Sequence, residues 1–405
     1  MDFFPILAAL RRHRTAAVLI ILEIAFTCAM VSNAVFLISE RLRRMDRASG
    51  IAERELVRIQ VTGPGRQENA QAVTQEDLAR LSGIPGVRSA ASSRQLPFGN
   101  SSWNSGLTVA PDQLHASLNA SNYVGSETLF ETLGVRLVAG RDFTRDEYID
   151  EEAALQSTAT LPIIVTRAVS ERLWPGENGL GRIVYMGPGH PLRIVGVLEQ
   201  LVRPNELRGI GDFELSVVLP VREKYKPNDN YVLRVDPERR AEVLAAAVAA
   251  LGHSRHNRLI LKQQTLEEMK NEYYRADRGM AWLLVSVCAA LLIITALGIV
   301  GLASFWVQQR TRPIGIRRAL GATRGQILRY FQAENFLLAT MGIALGMLLA
   351  YGINQLLMQR YELGRLPAQY LPIGALSLWI LGQLAVLGPA LRAASVPPAV
   401  ATRTV

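Results

Sequence analysis

Four apolar stretches in this chain are each long enough to cross a bilayer, and nothing else in the sequence constrains the fold as strongly. The membrane interior offers no water to backbone amides and carbonyls, so a single crossing segment must be helical, and it takes about 20 apolar residues. The stretches are Ala16 to Ile38, Ala281 to Val307, Asn335 to Met358 and Leu371 to Leu391. Residues 39–280, between the first and the second, are polar and long enough to build cores of their own. The sequence therefore predicts an α-helical membrane protein: four transmembrane helices, with a large α+β extracytoplasmic domain of two lobes inserted between helices 1 and 2. A basic flank, Arg11-Arg12-His13-Arg14, precedes the first span and would suit a signal peptide. No small-residue cleavage site follows, and Glu40-Arg-Leu-Arg-Arg44 continues a helix, so a retained anchor is expected.

Lys and Arg gather on the cytoplasmic side of membrane helices. Between spans two and three, Gln308 to Arg329 holds six Arg and no acid, which makes this loop cytoplasmic and agrees with Arg11, Arg12 and Arg14 ahead of span one. The expected layout is a cytoplasmic N-terminus (1–15), spans at 16–38, 281–307, 335–358 and 371–391, an elbow at 308–334, an extracytoplasmic loop at 359–370 and a cytoplasmic tail (392–405). Trp282 and Trp306 bracket span two, about 36 Å apart at the helical rise, as rings at two interfaces would be. The net charge of +9 invites a nucleic-acid partner, but residues 39–280 carry 31 basic and 31 acidic side chains. The excess lies beside or after the spans, so topology explains it, which argues against a nucleic-acid partner. Cys28 and Cys288 fall inside spans one and two, which leaves the inserted domain no disulfide scaffold and no thiolate metal site.

The inserted region alternates strand and helix signals. A first lobe, about 52–108 with 220–262, contains the alternating strand Leu56-Val-Arg-Ile-Gln-Val61 and a helix capped by Thr74-Gln-Glu-Asp77 that ends near Gly83 and Pro85. It also contains the strand Tyr231-Val-Leu-Arg-Val235, then Asp236 as N-cap, Pro237 at the first helical position and an Ala-rich helix closing at Gly252. The second lobe, about 109–219, is β-rich, with strands at Leu161–Thr166, Arg182–Met186 and Leu192–Leu198 and a hairpin through Gly187-Pro-Gly-His-Pro191. Stalk helices are expected at both ends. Thr265-Leu-Glu-Glu268 is a capping box, and Leu266, Met269, Tyr273, Ala276 and Met280 follow in steps of three and four, while Leu42 and Met45 extend span one. This predicts a paired stalk, continuous with span two, that Ala276→Pro would kink.

The elbow sequence Pro313-Ile-Gly-Ile-Arg-Arg-Ala-Leu-Gly-Ala322 is followed by Gln326-Ile-Leu and Glu334-Asn-Phe-Leu-Leu338. The inserted region adds Tyr123-Val-Gly-Ser, Phe130-Glu-Thr-Leu-Gly-Val135, Ala139-Gly-Arg-Asp-Phe-Thr144, Leu173-Trp-Pro-Gly-Glu-Asn178 and Ile194-Val-Gly-Val197. On these patterns the chain resembles permease subunits of MacB/FtsX-type (type VII) ABC transporters with a MacB-like periplasmic domain and no fused ATPase. The family usually has Glu before Ile-Gly; here Pro313 stands there, which suits a first helical position and loses a carboxylate. The resemblance implies a permease subunit of a transporter or efflux system in a bacterial inner membrane. It implies an elbow (Pro313, Ile314, Gly315, Ile316, Arg317, Arg318, Ala319, Leu320, Gly321, Ala322) resting on a separate cytoplasmic ABC ATPase, which binds the ATP and Mg. A second copy or a related permease, and a periplasmic adaptor, are the further partners it implies. ATPase closure would reach the exported domain by mechanotransmission. A second reading is a non-transporting transmitter that regulates a cell-wall hydrolase or senses an extracellular ligand.

A membrane enzyme, the third class, would need a recognisable catalytic pattern. The sequence has no Gly-x4-Gly-Lys-Ser/Thr loop, no His-Glu-x-x-His and no Gly-x-Ser-x-Gly. His253 and His256 lack a third ligand in view, and Asp150-Glu-Glu152 reads as a solvated loop. No catalytic, cofactor-binding or metal residue is expected in this chain. Within the elbow, Gly321 can close a short helix in the left-handed conformation, and Thr323 with Gln326 forms a capping box for the next helix. Gly342, Gly346 and Ala350 line one face of span three, for a contact within the chain or at a dimer seam. Glu23 is a carboxylate inside span one, either paired with Arg near the interface or serving transport, and Glu334 is expected to bridge to a nearby Arg.

Overall fold

The computed structural model describes residues 14–63, 70–187, 190–206, 213–222, 224, 226–254, 259–361 and 365–397. Two compact units emerge, Met1–Asp46 with Ala276–Val405, and Arg47–Arg275.

The membrane unit is built on helices Arg14–Met45, Arg275–Gln309, Arg324–Tyr361 and Leu371–Ala394 (spans one to four). Each contains a stretch long and apolar enough to cross a membrane. They overrun the predicted spans because their flanks, Glu40 to Met45 among them, hold no helix breaker. Ile24, Ile299, Leu338, Ile343, Leu378 and Val386 meet in one apolar core. Leu297, Leu348 and Leu384 stay exposed on the outer faces, as lipid-facing side chains would. Trp282 is exposed, whereas Trp306 is buried beneath the Arg310 guanidinium, 5.7 Å from its ring.

In the inserted unit, a four-stranded antiparallel sheet has the spatial order Leu259–Thr265, Leu56–Thr62, Asn230–Val235, Val87–Ser93. Helices Ala70–Ser82 and Arg240–Ser254 follow the first and third of these strands along the chain, which gives a split βαβ arrangement. Val57, Ile59 and Val61 point to the helices and pack with Val73, Leu81 and Val243. The second sheet is mixed, in the order Asn104–Leu107, Leu118–Tyr123, Ser216–Val218, Leu161–Thr166, Pro191–Leu198, Leu137–Gly140, with Ile183–Tyr185 paired to Pro191–Leu198. That last antiparallel pair forms the expected hairpin, of which residues 188–189 lie outside the described residues.

Four expectations need correction. The helix meant to start at Thr74 begins at Ala70: Thr74 Oγ1 donates back to Ala70 O (3.2 Å), and Asp77 accepts from the buried Tyr231 hydroxyl (2.7 Å) rather than closing a cap. The Ala-rich helix passes Gly252 and runs to Ser254; the strain-free glycine supplies no left-handed stop there. Asn104–Leu107 pairs with Leu118–Tyr123, so the second layer starts before Val109. Most consequentially, the stalk is not one helix. Thr265 does close a capping box with Glu268, but the helix Leu266–Tyr273 ends at Tyr274 and a new one starts at Arg275. Leu266 and Met269 are buried within the inserted unit, and the Tyr273 hydroxyl accepts from the Glu206 amide (3.0 Å). Leu42 and Met280 are left exposed, while Arg41 and Asp277 tie spans one and two by an ion pair. Ala276 now sits in a first helical turn, where proline removes no helical hydrogen bond, so Ala276→Pro would not kink a stalk.

Asp229, beside the strand Asn230–Val235, accepts from the Lys226 amide (2.6 Å), yet burial pushes its carboxyl up to about 6, against the pull of Arg94 and Lys226 and with the push of Glu151. A carboxyl raised in the fold favours its protonated form, so its contribution to stability is complete below the ordinary value of 3.8 and is lost as pH rises through about 6. Asp229→Asn should therefore gain stability relative to the parent chain between pH 4 and 6, read by thermal unfolding of the full chain. Parallel pH curves for the two proteins would contradict this.

Candidate functional site

The elbow is a helix fixed at both ends. Span two ends at Gln309, Arg310 leaves helical geometry (φ −102°, ψ 10°), and a second helix runs Thr311–Ala319. Pro313 is its third residue, not its first; the amide it lacks belongs to the first turn, whose N–H groups have no helical acceptor anyway. Gly321 (φ +98°) closes the helix: its amide donates to Arg318 O (3.2 Å) and the Ala322 amide to Arg317 O (3.0 Å), the paired bonds of a Schellman stop. Thr323 and Gln326 then exchange side-chain to backbone bonds (2.9 and 3.3 Å) and start span three at Arg324. These caps are the ones the sequence predicts.

Two long-range ties hold this helix. At its base, Arg310 donates to both oxygens of Glu334 (3.1 and 2.9 Å), a carboxylate 1% exposed on span three. At its tip, Arg318 donates to the carbonyls of Ala394 (3.0 Å) and Val396 (2.9 Å), where the end of span four leaves carbonyls without helical partners. Ile314 is buried in the membrane unit's core, and Gly315 beside it is buried too. The opposite face is open: Ile316 is 46% and Leu320 83% exposed, with Arg312, Pro313 and Arg317 around them, while Ala319 and Gly321 are also exposed. The helix thus presents two apolar side chains among guanidinium groups, with no freedom to turn them inward. Sequence reasoning gathered these residues as one set. It missed that Arg318 is a structural clamp and that Ile316 and Leu320 form the outward face.

The other predicted residues fall elsewhere. Gly342 packs against Ile24 and Ile21 of span one, and Gly346 against Cys28 and Ala25, while Ala350 O accepts from the Asn33 side chain (3.1 Å). The small-residue face is thus a contact within the chain, not a dimer seam. Glu23 has no ion-pair partner among the described residues; its carboxylate lies against Gly298 of span two, one helical turn from the Thr27–Thr295 hydroxyl pair (2.8 Å). Glu151 and Glu152 are taken up by Arg94, Lys226 and Lys224. His256, Arg11 and Arg12 lie outside the described residues.

A membrane unit of four spans with such a handle, and with a mixed α/β unit between its first two spans, is the body of a transporter permease. Two family models place it more closely: the MacB-like periplasmic core domain matches residues 17–251, and the FtsX-like permease C-terminal matches residues 285–398. The chain belongs to the MacB/FtsX-type family of ABC transporter permeases. It is 25% identical over 246 residues to the macrolide export ATP-binding/permease protein MacB of Chromobacterium violaceum, covering 59% of this chain and 36% of that one. It is 24% identical over 286 residues to the uncharacterized ABC transporter permease YknZ of Bacillus subtilis, covering 69% of this chain and 66% of that one. The chain thus spans between a third and two thirds of the length of these relatives. Among solved structures, the periplasmic region of MacB from Actinobacillus actinomycetemcomitans is similar at 15% identity and a TM-score of 0.35, covering 56% of this chain and 95% of that one.

Proposed function

We propose that this chain is the permease subunit of an ABC-type transporter or efflux system in a bacterial inner membrane, with both termini cytoplasmic and the inserted unit exported. Its elbow rests on a separate cytoplasmic ATPase that binds the ATP and Mg, and a second copy or a related permease completes the membrane assembly. A periplasmic adaptor belongs to the same reading. The observation that carries it is Leu320, 83% exposed on a helix pinned at both ends. Closure of the ATPase would push on a handle that cannot yield locally. The Glu334 tie would pass the movement to span three, and the Arg318 clamp to span four.

The test is co-purification. With Ile316→Asp and Leu320→Asp together, recovered ATPase should fall at least about tenfold, the equivalent of ~1.4 kcal/mol, while insertion and thermal stability stay near the parent values because neither side chain supports the fold. Retained ATPase at parent levels would remove the elbow reading. Arg318→Glu is a poor probe, since it breaks the clamp itself. The second reading, a transmitter acting on a cell-wall hydrolase, draws on the large apolar cluster that the four spans share. A hydrolase captured by crosslinking, with substrate accumulation unchanged in a deletion strain, would favour it.

A further inference from the structure

The inserted unit contains a cavity of about 610 Å3 on the face of the four-stranded sheet opposite its helices. Arg58 alternates with Val57 and Ile59 along its strand, so it turns into this cavity while they enter the core. The side chain is only 8% exposed. Its Nε donates to Asn230 Oδ1 (2.7 Å) and one terminal nitrogen meets Met269 Sδ (3.4 Å), so no carboxylate holds it among the described residues. Burial lowers its pKa to about 10, and the nearby Glu272, which is itself bonded to Lys262, offsets this only in part. The other cations of the lining are engaged: Arg94 by Glu151 (2.8 Å), Lys226 by Glu151, and Lys262 by Glu272 (3.1 Å). A buried guanidinium left to a cavity is costly unless an anion completes it.

Two further observations converge on the same walls. Among the described residues, the only non-glycine positions with positive φ are Phe98 (67°) and Asn228 (74°), and both line this cavity. A phenylalanine in that region carries strain of about 1–3 kcal/mol. It is held there by the rings of Tyr273 and Tyr274, each 6.0 Å away, and by Lys270 Nζ 5.3 Å from its ring. Gln264 Nε2 and Asn205 Oδ1, also on lining residues, are buried with no hydrogen-bond partner among the described residues.

We propose that this cavity binds a short peptide by its free carboxylate, with Arg58 as the anchoring cation. The charge pattern selects a monoanion. Arg58 alone among the lining cations has no ion-pair partner among the described residues, whereas Asp229 and Glu272 stand in the wall and would repel a phosphate dianion. Gln60, Asn100 and Gln264 supply amide donors and acceptors for peptide groups, and Leu96, Phe98 and Tyr273 supply an apolar strip for side chains. The site is built within the inserted unit and shares no residue with the elbow, so its test needs no ATPase and does not depend on transport.

The experiment uses the full chain in lipid nanodiscs, with trialanine and trialanine amide as probes, followed by calorimetry and ligand-observed NMR. Trialanine should bind with a Kd below about 1 mM, and the amide at least about tenfold more weakly, since it lacks the charge that Arg58 pairs with. Met269→Glu places a carboxylate beside Arg58 and should keep or raise the melting temperature while cutting trialanine affinity at least about tenfold. Met269→Gln, of the same size without the charge, should bind as the parent chain does. If Met269→Glu melts early, Arg58→Gln is the deciding variant and must show the same loss. No saturable binding of trialanine at about 10 mM, equal affinity for the amide, or unchanged affinity in both charge variants would overturn the assignment.

Discussion

Gly346→Val is expected to leave little folded protein in the membrane. A Cβ at position 346 would stand 2.5 Å from Cys28 Cβ, 2.7 Å from Ala25 O and 3.1 Å from Ala25 Cα, all on or next to the backbone of span one. Such atoms cannot swing aside as the end of a long side chain can, so the two helices must separate. Separation also costs Gly342 its seat, where a Cβ would already meet Ile24 Cβ at 2.8 Å, and opens the Asn33 bond to Ala350 O. Overpacking of this kind, with a buried polar group orphaned beside it, is worth about 3 kcal/mol or more. Gly352→Val on the same helix is the control, because nothing lies within 4 Å of its Cβ. Detergent-solubilised yield and thermal unfolding should drop sharply for the first and hardly for the second; equal stability of the two would show that the small-residue face does not join spans one and three.

That face marks where sequence reading stops. The spacing of Gly342, Gly346 and Ala350 describes a surface, and a surface does not name its partner. Local chemistry was legible: the Gly321 stop and the Thr323–Gln326 box each depend on residues within one turn, and both form as expected. The Arg318 clamp was not, because its acceptors lie 76 and 78 residues further along the chain. The stalk failed for a related reason. Leu266, Met269 and Tyr273 do form one apolar stripe, but the inserted unit offers it a surface nearer than another helix, and no glycine or proline announces the break at Tyr274. Arg58 shows the same limit within a strand. Alternation placed it on the face away from the helices, and a polar residue on that face reads alike whether it meets bulk water or the wall of a cavity.

Glu334→Ala is the second change expected to have a large effect. Its carboxylate is almost wholly buried and takes two bonds from Arg310, whose side chain is itself 18% exposed. Removing it strands a guanidinium in a low-dielectric surrounding, which costs about 3–5 kcal/mol. Because Arg310 is the residue between span two and the elbow helix, the loss should also free the base of that helix. Charge and geometry can be separated with Arg310→Met plus Glu334→Leu, which removes both ions and keeps the volume. Apolar replacement of a buried pair is often neutral, so the double variant should recover stability to within about 1 kcal/mol of the parent chain. It would not recover the directional tie. Restored thermal stability with ATPase binding still reduced would identify the pair as what holds the elbow in position, whereas full recovery of both would mean that Ile314 and the Arg318 clamp position the helix unaided.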